Sequence, residues 1–421
     1  MSPPLIRRNI TQIAQETLHH SPVVVISGAR QVGKSTLMHI LLDALPHKLV
    51  NLDSAVSRES ALSDPDGFAH QFPDGTLAID EIQRAPDLLL SIKLAVDQKR
   101  SAARFIVTGS ADLLTASGTQ ESLAGRAHTI RLHGLSQGEV RGYCEDFAHM
   151  AWQLAKMPPP QPSTTLSRRE YLSLATTSAY PEIHNAPYRI ATRWMDGYLE
   201  RVLSKDTADV SNIQHYDRLH PLLSLIAAEN SSEFVNQRYA QALDLPARSL
   251  PAYVKALSDV YLIHSIPAWG HNLSKRAVSK PKILISDPGI AAYLCGIDVT
   301  GLEHDISSAL TGGLVEAFVA GELLKQKGWS RIDYSIHHWR DSGNSNHEVD
   351  IVLENRAREI VAIEVKSQAT LGAKHFTGLK KLREIAGHRF KAGIVLYTGA
   401  EIMPFGEGLW AMPINMLWEA R

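Results

Sequence analysis

Pro22-Val-Val-Val-Ile-Ser-Gly28-Ala29-Arg30-Gln31-Val32-Gly33-Lys34-Ser35-Thr36 decides how the first third of the chain is read. A short β-branched run ends in glycine, and an apolar, helix-periodic stretch follows from Thr36 with no breaker before Pro46. That order is strand, glycine-rich loop, helix. The loop fits G-x-x-x-x-G-K-[ST] at every required position and lies where that motif has to lie. Its glycines let the backbone curl so that N–H groups face phosphate oxygens, and the helix behind adds its positive N-terminal end. Gly28, Ala29, Arg30, Gln31, Val32, Gly33, Lys34, Ser35 and Thr36 are therefore expected to cradle ATP. Lys34 should reach the β- and γ-phosphates, and the Ser35 hydroxyl should ligate Mg²⁺.

A second apolar run, Thr76-Leu-Ala-Ile-Asp80-Glu81, ends in two acids. An acid at the C-terminal edge of a strand faces the crevice where open α/β sheets bind ligands. Asp80 is expected to hold Mg²⁺ through water, and Glu81 to orient and polarise the attacking water. Phe105-Ile-Val-Thr108-Gly-Ser110 is a third strand ending in hydroxyls; Thr108 or Ser110 could sense the γ-phosphate or cap the next helix. Arg126, in Leu123-Ala-Gly-Arg126, is a candidate for stabilising charge on that phosphate.

Similar apolar runs over 48–52, 76–80 and 104–108, separated by helix-length segments, imply an α/β fold with a parallel sheet covered by helices on both faces. This first domain should span 1–142. Residues 143–210 read as a helical linker region with a proline-rich insertion, Lys156-Met-Pro-Pro-Pro-Gln-Pro. Over 211–300, two short amphipathic helices precede an apolar strand and a basic, glycine-containing stretch, the pattern of a winged helix. Arg248, Lys255, Lys275, Arg276, Lys280 and Lys282 are its candidate phosphate contacts, making DNA or RNA a candidate partner.

Residues 301–421 return to α/β. Asp350, in Glu348-Val-Asp350, and Glu364 and Lys366, in Ile363-Glu364-Val-Lys366, fall on two short strands, and the last two share a face because they are two apart. Asp350 and Glu364 could hold a metal while Lys366 positions water, with Glu316 on the preceding helix completing the set. Such a constellation resembles the PD-(D/E)XK restriction-endonuclease-like fold. Glu322, further along that helix, could replace Glu316 or face solvent.

Taken together, Arg30-Gln-Val-Gly-Lys-Ser, Ile79-Asp-Glu-Ile-Gln, Val107-Thr-Gly-Ser and Leu123-Ala-Gly-Arg resemble the bacterial and archaeal AAA+ ATPases that carry the C-terminal domain of unknown function 4143. The resemblance continues through Ala179-Tyr-Pro-Glu182, Tyr198-Leu-Glu-Arg-Val-Leu-Ser-Lys-Asp206, Lys282-Ile-Leu-Ile-Ser-Asp-Pro-Gly289 and Gly313-Leu-Val-Glu316. It covers most of the chain, departing where Ser178-Ala179 replaces two glycines. It implies Mg²⁺-dependent ATP hydrolysis by an AAA+ P-loop domain, with a nuclease-like tail of a class that includes members without cleavage. A protein partner or a homo-oligomer is the other expectation.

The bulk composition agrees with a multidomain soluble protein. The chain has 421 residues, 44% of them hydrophobic and 21% charged, with a formal net charge of -1. A neutral balance supplies no whole-molecule field for nucleic acid or membrane, so such binding would have to be local. Cys144 and Cys295 lack a CxxC partner and fit a reducing compartment. The start shows no secretory pattern and no run reaches membrane-spanning length, so a cytoplasmic location is expected.

Overall fold

In the computed structural model, residues 5–110, 123–211, 213–272, 276, 279–304, 309–341 and 347–420 are described. The first unit is built on β1 (Val23–Ser27), β2 (His47–Asn51), β3 (Thr76–Asp80), β4 (Phe105–Gly109) and β5 (Ala127–Arg131). They pair in the order β2-β3-β4-β1-β5, all parallel. Every residue of β1, β3 and β4 is buried, as the unbroken apolar runs require of strands covered on both faces. Val24 and Ile26 pack on one side with Ala14, Leu37 and Met38, while Val23 and Val25 pack on the other with Leu89, Ile92 and Val96. The fifth strand was not foreseen in the sequence, because Ala127-His-Thr-Ile-Arg131 lacks an apolar run.

The middle of the chain is mainly helical. The helix Tyr188–Arg201 runs into a π-helical turn, Val202–Asp206. After the helix Leu219–Ala228 come β6 (Ser232–Glu233), the helices Asn236–Ala242 and Leu250–Asp259, β7 (Ile263–Ile266) and β8 (Lys282–Ile285). These strands form an antiparallel sheet in the order β6-β8-β7.

The last unit begins with the helix Ala309–Gln326 and continues through β9 (Tyr334–Arg340), β10 (Glu348–Asn355), β11 (Ile360–Lys366), β12 (Phe390–Tyr397), β13 (Met403–Pro404) and β14 (Leu409–Pro413). The six-stranded sheet has the order β13-β14-β12-β11-β10-β9 and mixes parallel with antiparallel pairs. Ile351, Ile363 and Ile394 face the cluster that holds Phe318 of the helix Ala309–Gln326, whereas Val352, Ala362 and Val395 meet Leu379 and Leu382 of the helix Thr377–Ala386.

The units are joined by apolar and polar contacts alike. One buried cluster runs without a break from Ile10 and Val24 through Leu222 and Leu284 to Phe318 and Trp418. Glu322 is fully buried: it accepts 2.8 Å from the Gln137 backbone N–H and 2.6 Å from Lys325, whose ammonium also meets the Leu135 carbonyl at 2.9 Å. The expectation that Glu322 faces solvent or stands in for Glu316 is therefore corrected. Its charge is consumed in fastening the tail to the first unit.

Candidate nucleotide site and the carboxylate cluster

The loop between β1 and the helix Lys34–Leu42 takes the conformation that its glycines permit. Gly28 has φ 155° and Gly33 φ 99°, and a Cβ at Gly28 would lie 2.2 Å from the Leu132 carbonyl oxygen. Gln31 adopts φ 64°, a left-handed value unusual for a residue with a side chain. The loop is held from behind by Arg8, whose guanidinium donates to the Val32 carbonyl at 2.9 Å, the His133 carbonyl at 2.6 Å and Glu139 at 3.1 Å. Sequence reasoning missed Arg8, which lies far upstream of the motif that it braces.

Lys34 folds into the loop and donates to the Gly28 and Ala29 carbonyls at 3.1 and 2.9 Å. Burial lowers its pKa to about 8, against the pull of Glu81. The Ser35 hydroxyl lies 2.9 Å from one oxygen of Asp80 and 3.2 Å from the other. Thr108 donates to the same carboxylate and its hydroxyl accepts from the Glu81 backbone N–H at 3.2 Å. Hydroxyl and carboxylate oxygens converging at the strand edge are the hard donors that Mg²⁺ selects, so the residues fit that ion.

Glu81 itself sits at φ 60°, a left-handed turn directly after β3. Gln83 donates to the Glu81 carboxylate and, at 3.0 Å, to Ser110. Thr108 is fully buried against Asp80, whereas Ser110 is tied through Gln83 to Glu81. The two hydroxyls thus have different partners, and Gln83 is a site residue that the sequence reading did not single out.

Arg30, also on the loop, makes a two-pronged pair with Asp206 of the π-helical turn at 2.9 and 3.1 Å. The hydrogen bond to Asp206 raises the Arg30 pKa against the effect of burial. A separate cavity of about 150 Å³ flanks the first turns of the helix Lys34–Leu42, lined by Ile6, Thr36, Ile40, Pro181 and His184 among others.

Arg126 is not brought to this edge. It precedes β5, at the N-terminal end of a parallel sheet whose C-terminal ends carry the loop, and it pairs with Asp97 at 2.6 and 2.9 Å. The expectation of an Arg126 contact with the γ-phosphate of its own chain is corrected by that placement.

In the last unit the expected trio does assemble. Asp350 and Glu364 flank the last β10–β11 pair, Ile351 with Ile363, Lys366 is two residues beyond Glu364 on the same face, and Glu316 belongs to the helix Ala309–Gln326. Lys366 pairs with Glu364 at 2.6 Å, and Asp350 accepts from the Val365 N–H at 2.9 Å. Burial, reinforced by Asp350, pushes Glu364 up to about 8 and holds Glu316 well above the carboxylate range. Lys282, expected to lie on an exposed basic wing, is instead buried here at 2.6 Å from Glu316.

Arg276 is likewise turned inward, pairing with the buried Glu354 at 2.7 and 3.1 Å. Lys255 pairs with Asp259 at 2.6 Å, Arg248 and Lys280 are exposed, and Lys275 lies outside the described residues. Alternation in sequence could not tell these inward cations from solvated ones, because their partners are 34 and 78 residues away.

Three family models match successive parts of the chain. Residues 20–141 match an AAA domain, 168–301 the domain of unknown function 8612 and 311–417 the domain of unknown function 4143. Uncharacterized proteins of Mycobacterium tuberculosis and Mycobacterium bovis are each 28% identical over 413 residues, covering 98% of this chain and 84% of theirs. Among solved structures, a Walker-type ATPase of Pyrococcus abyssi aligns with 70% of this chain and 99% of its own at 15% identity and a TM-score of 0.42. A signal-transduction ATPase with numerous domains from Pyrococcus horikoshii aligns with 77% of this chain and 46% of its own at 13% identity and a TM-score of 0.26. Among the described residues no helix is long and apolar enough to cross a membrane. The chain thus carries an AAA domain ahead of the domain of unknown function 4143, the combination of the AAA+ P-loop ATPases that it resembles.

Proposed function

We propose that the chain hydrolyses ATP with Mg²⁺ at the P-loop and transmits the cycle to a restriction-endonuclease-like tail that works on nucleic acid. The observation that carries the catalytic part is the convergence of Ser35 and Asp80, 2.9 Å apart, beside the buried Lys34. Backbone N–H groups from 28 to 36 and Lys34 would bind the phosphates, and Ser35 and Asp80 would hold Mg²⁺, which supplies positive charge to the transferring phosphoryl group. Glu81 would take the proton of the attacking water, kept in orientation by Gln83, with Ser110 at the far end of the same hydrogen-bond chain. The slot bounded by Ile6, Ile40 and Pro181 suits the flat apolar face of a base.

For the middle unit we infer a winged helix, supported by the order helix, strand, two helices, two strands and by its small antiparallel sheet. The units would follow the divisions expected from sequence, 1–142, 143–210, 211–300 and 301–421. A cytoplasmic setting and assembly into homo-oligomers belong to the same reading; an Arg126 delivered by a neighbouring copy would be the reason for the latter.

A second reading is favoured by a specific observation. Arg276 and Lys282, two of the cations expected to meet phosphates, are spent on carboxylates within the chain. That supports an ATP-driven switch whose tail engages protein and does not cleave. The discriminating experiment is ATP turnover with and without DNA or RNA over a salt series. Stimulation that fades with salt supports the first reading; turnover indifferent to nucleic acid, with an ATP-responsive protein complex, supports the second.

The catalytic assignment has its own test. Lys34→Ala should abolish ATP binding, while Glu81→Gln should retain binding and slow turnover by about 10²–10⁴-fold. Equilibrium binding of a fluorescent ATP analogue and single-turnover hydrolysis measure the two effects. Undiminished hydrolysis by the Glu81→Gln protein would remove Glu81 from its role.

A further inference from the structure

Placing Arg126 at the far end of the sheet leaves its expected task, charge on the γ-phosphate, open to another arginine. Arg30 stands on the phosphate loop itself, between Gly28 and Lys34. In the free chain its guanidinium is engaged elsewhere, forking onto both Asp206 oxygens at 2.9 and 3.1 Å. Only 18% of the Arg30 side chain and 7% of the Asp206 side chain are exposed, so water weakens the pair little. Arg30 remains within electrostatic reach of the chemistry all the same. After the hydrogen bond to Asp206, Glu81 also acts on its guanidinium, and Lys34, whose charge burial opposes, feels both Glu81 and Arg30. Lys34 is held in a comparable way, on the Gly28 and Ala29 carbonyls. Two cations of the loop thus rest on protein acceptors that a triphosphate, the stronger acceptor, would displace.

Resting on the reading of the P-loop as an ATPase site, we propose that Arg30 is a catalytic arginine supplied in cis, latched on Asp206 until the γ-phosphate draws it off. A planar fork that fits a carboxylate in two prongs fits a phosphoryl group in the same manner, so one guanidinium serves either partner but not both. In hydrolysis the water oxygen bonds to the γ-phosphorus as its proton passes to Glu81; the bond to the bridging oxygen breaks and its electron pair leaves with ADP. Arg30 meets the negative charge that gathers on those oxygens. No second copy is required to deliver it. Release also acts on the partner left behind: Asp206 ends the π-helical turn Val202–Asp206 that continues the helix Tyr188–Arg201, and a buried carboxylate stripped of its guanidinium is costly to keep in place. Turns of this kind concentrate at functional sites. The γ-phosphate would in this way be read into the helical middle of the chain through Asp206, whereas ADP, lacking that group, leaves the latch shut.

The experiment compares the full-length parent with Arg30→Met, which keeps the apolar stem, and Asp206→Asn; the double variant guards against a fold upset by an unpaired Asp206. Each is read by phosphate release in a single turnover and by competition of ADP and of the γ-thio analogue of ATP against a fluorescent nucleotide. Loss of Arg30, alone or in the double variant, should slow hydrolysis by about 10³-fold or more while ADP binding stays near that of the parent. Asp206→Asn should tighten the ATP analogue, relative to ADP, by about three-fold or more because the latch no longer competes. That gain should vanish in the double variant. Parent-like turnover in a folded Arg30 variant would overturn the proposal, as would equal weakening of ADP and the ATP analogue by both single variants, the mark of a purely structural clasp. A parent that binds no nucleotide would take down the P-loop reading and this proposal with it, so the two failures are told apart in the parent chain.

Discussion

Lys34 couples the nucleotide site to pH. Buried in its own loop, it has its pKa lowered from the usual 10.5 to about 8 because the charged form loses hydration. The sign follows directly: between those values the unfolded chain binds a proton that the free fold does not, so Lys34 takes stability away as pH falls through that window and has its full cost below about 8. A triphosphate placed against the ammonium reverses the shift. ATP binding at about pH 9 should therefore take up a fraction of a proton, whereas at about pH 6.5 lysine is already charged and uptake through this group should vanish. Titration calorimetry in buffers of different ionisation enthalpy measures the uptake directly. A pH-independent proton count in the parent chain would show that Lys34 is not the group meeting the phosphates.

Among the elements outside the first unit, the π-helical turn Val202–Asp206 grips the P-loop through the Arg30 side chain, and Tyr198 of the preceding helix donates to the Arg30 carbonyl at 3.5 Å. Asp206 is nearly buried and Arg30 mostly so, so loss of the carboxylate would strand a charge. Asp206→Asn should cost about 1–3 kcal/mol, less than a fully buried pair because Arg30 keeps some solvent, and urea unfolding monitors it. The same variant should bind ATP as well as or better than the parent, since phosphate and Asp206 compete for Arg30; weakened binding would mean that Asp206 positions the loop instead. How much of this was legible is a matter of range. The P-loop, β3 with its acids and the tail strands with Asp350, Glu364 and Lys366 declare themselves through local spacing and apolar runs. β5, β9 and β14 do not, because Ala127-His-Thr-Ile-Arg131, Tyr334-Ser-Ile-His-His-Trp-Arg340 and Leu409-Trp-Ala-Met-Pro413 carry weak or interrupted β signals. Arg8, Gln83, Asp206 and Lys282 act across distances in sequence that no periodicity reports, and Arg126 misled because a motif gives residue type without the edge of the sheet on which it lands.

At the scale of the molecule, the continuous core sets how the units can respond to nucleotide. Apolar contacts pass from the P-loop sheet through Leu222 and Leu284 to Phe318 and Trp418, and the buried Glu322 crosslinks the first unit to the last. Units that share buried surface to this extent should not melt as independent beads, so calorimetry of the free chain is expected to show one main transition. Any ligand that binds only the folded form then stabilises the whole, by about 2.7 kcal/mol at a free concentration one hundred times Kd. ATP with Mg²⁺, added to the slowly hydrolysing Glu81→Gln protein, should accordingly raise the entire transition and leave no unshifted remainder. Glu322→Ala should lower that transition in the free chain, because the Gln137 N–H loses its acceptor and Lys325 its buried partner. Two resolved transitions, of which ATP moves only one, would show that the shared core does not couple the P-loop unit to the tail, and the π-helical contact would then be left as the route between them.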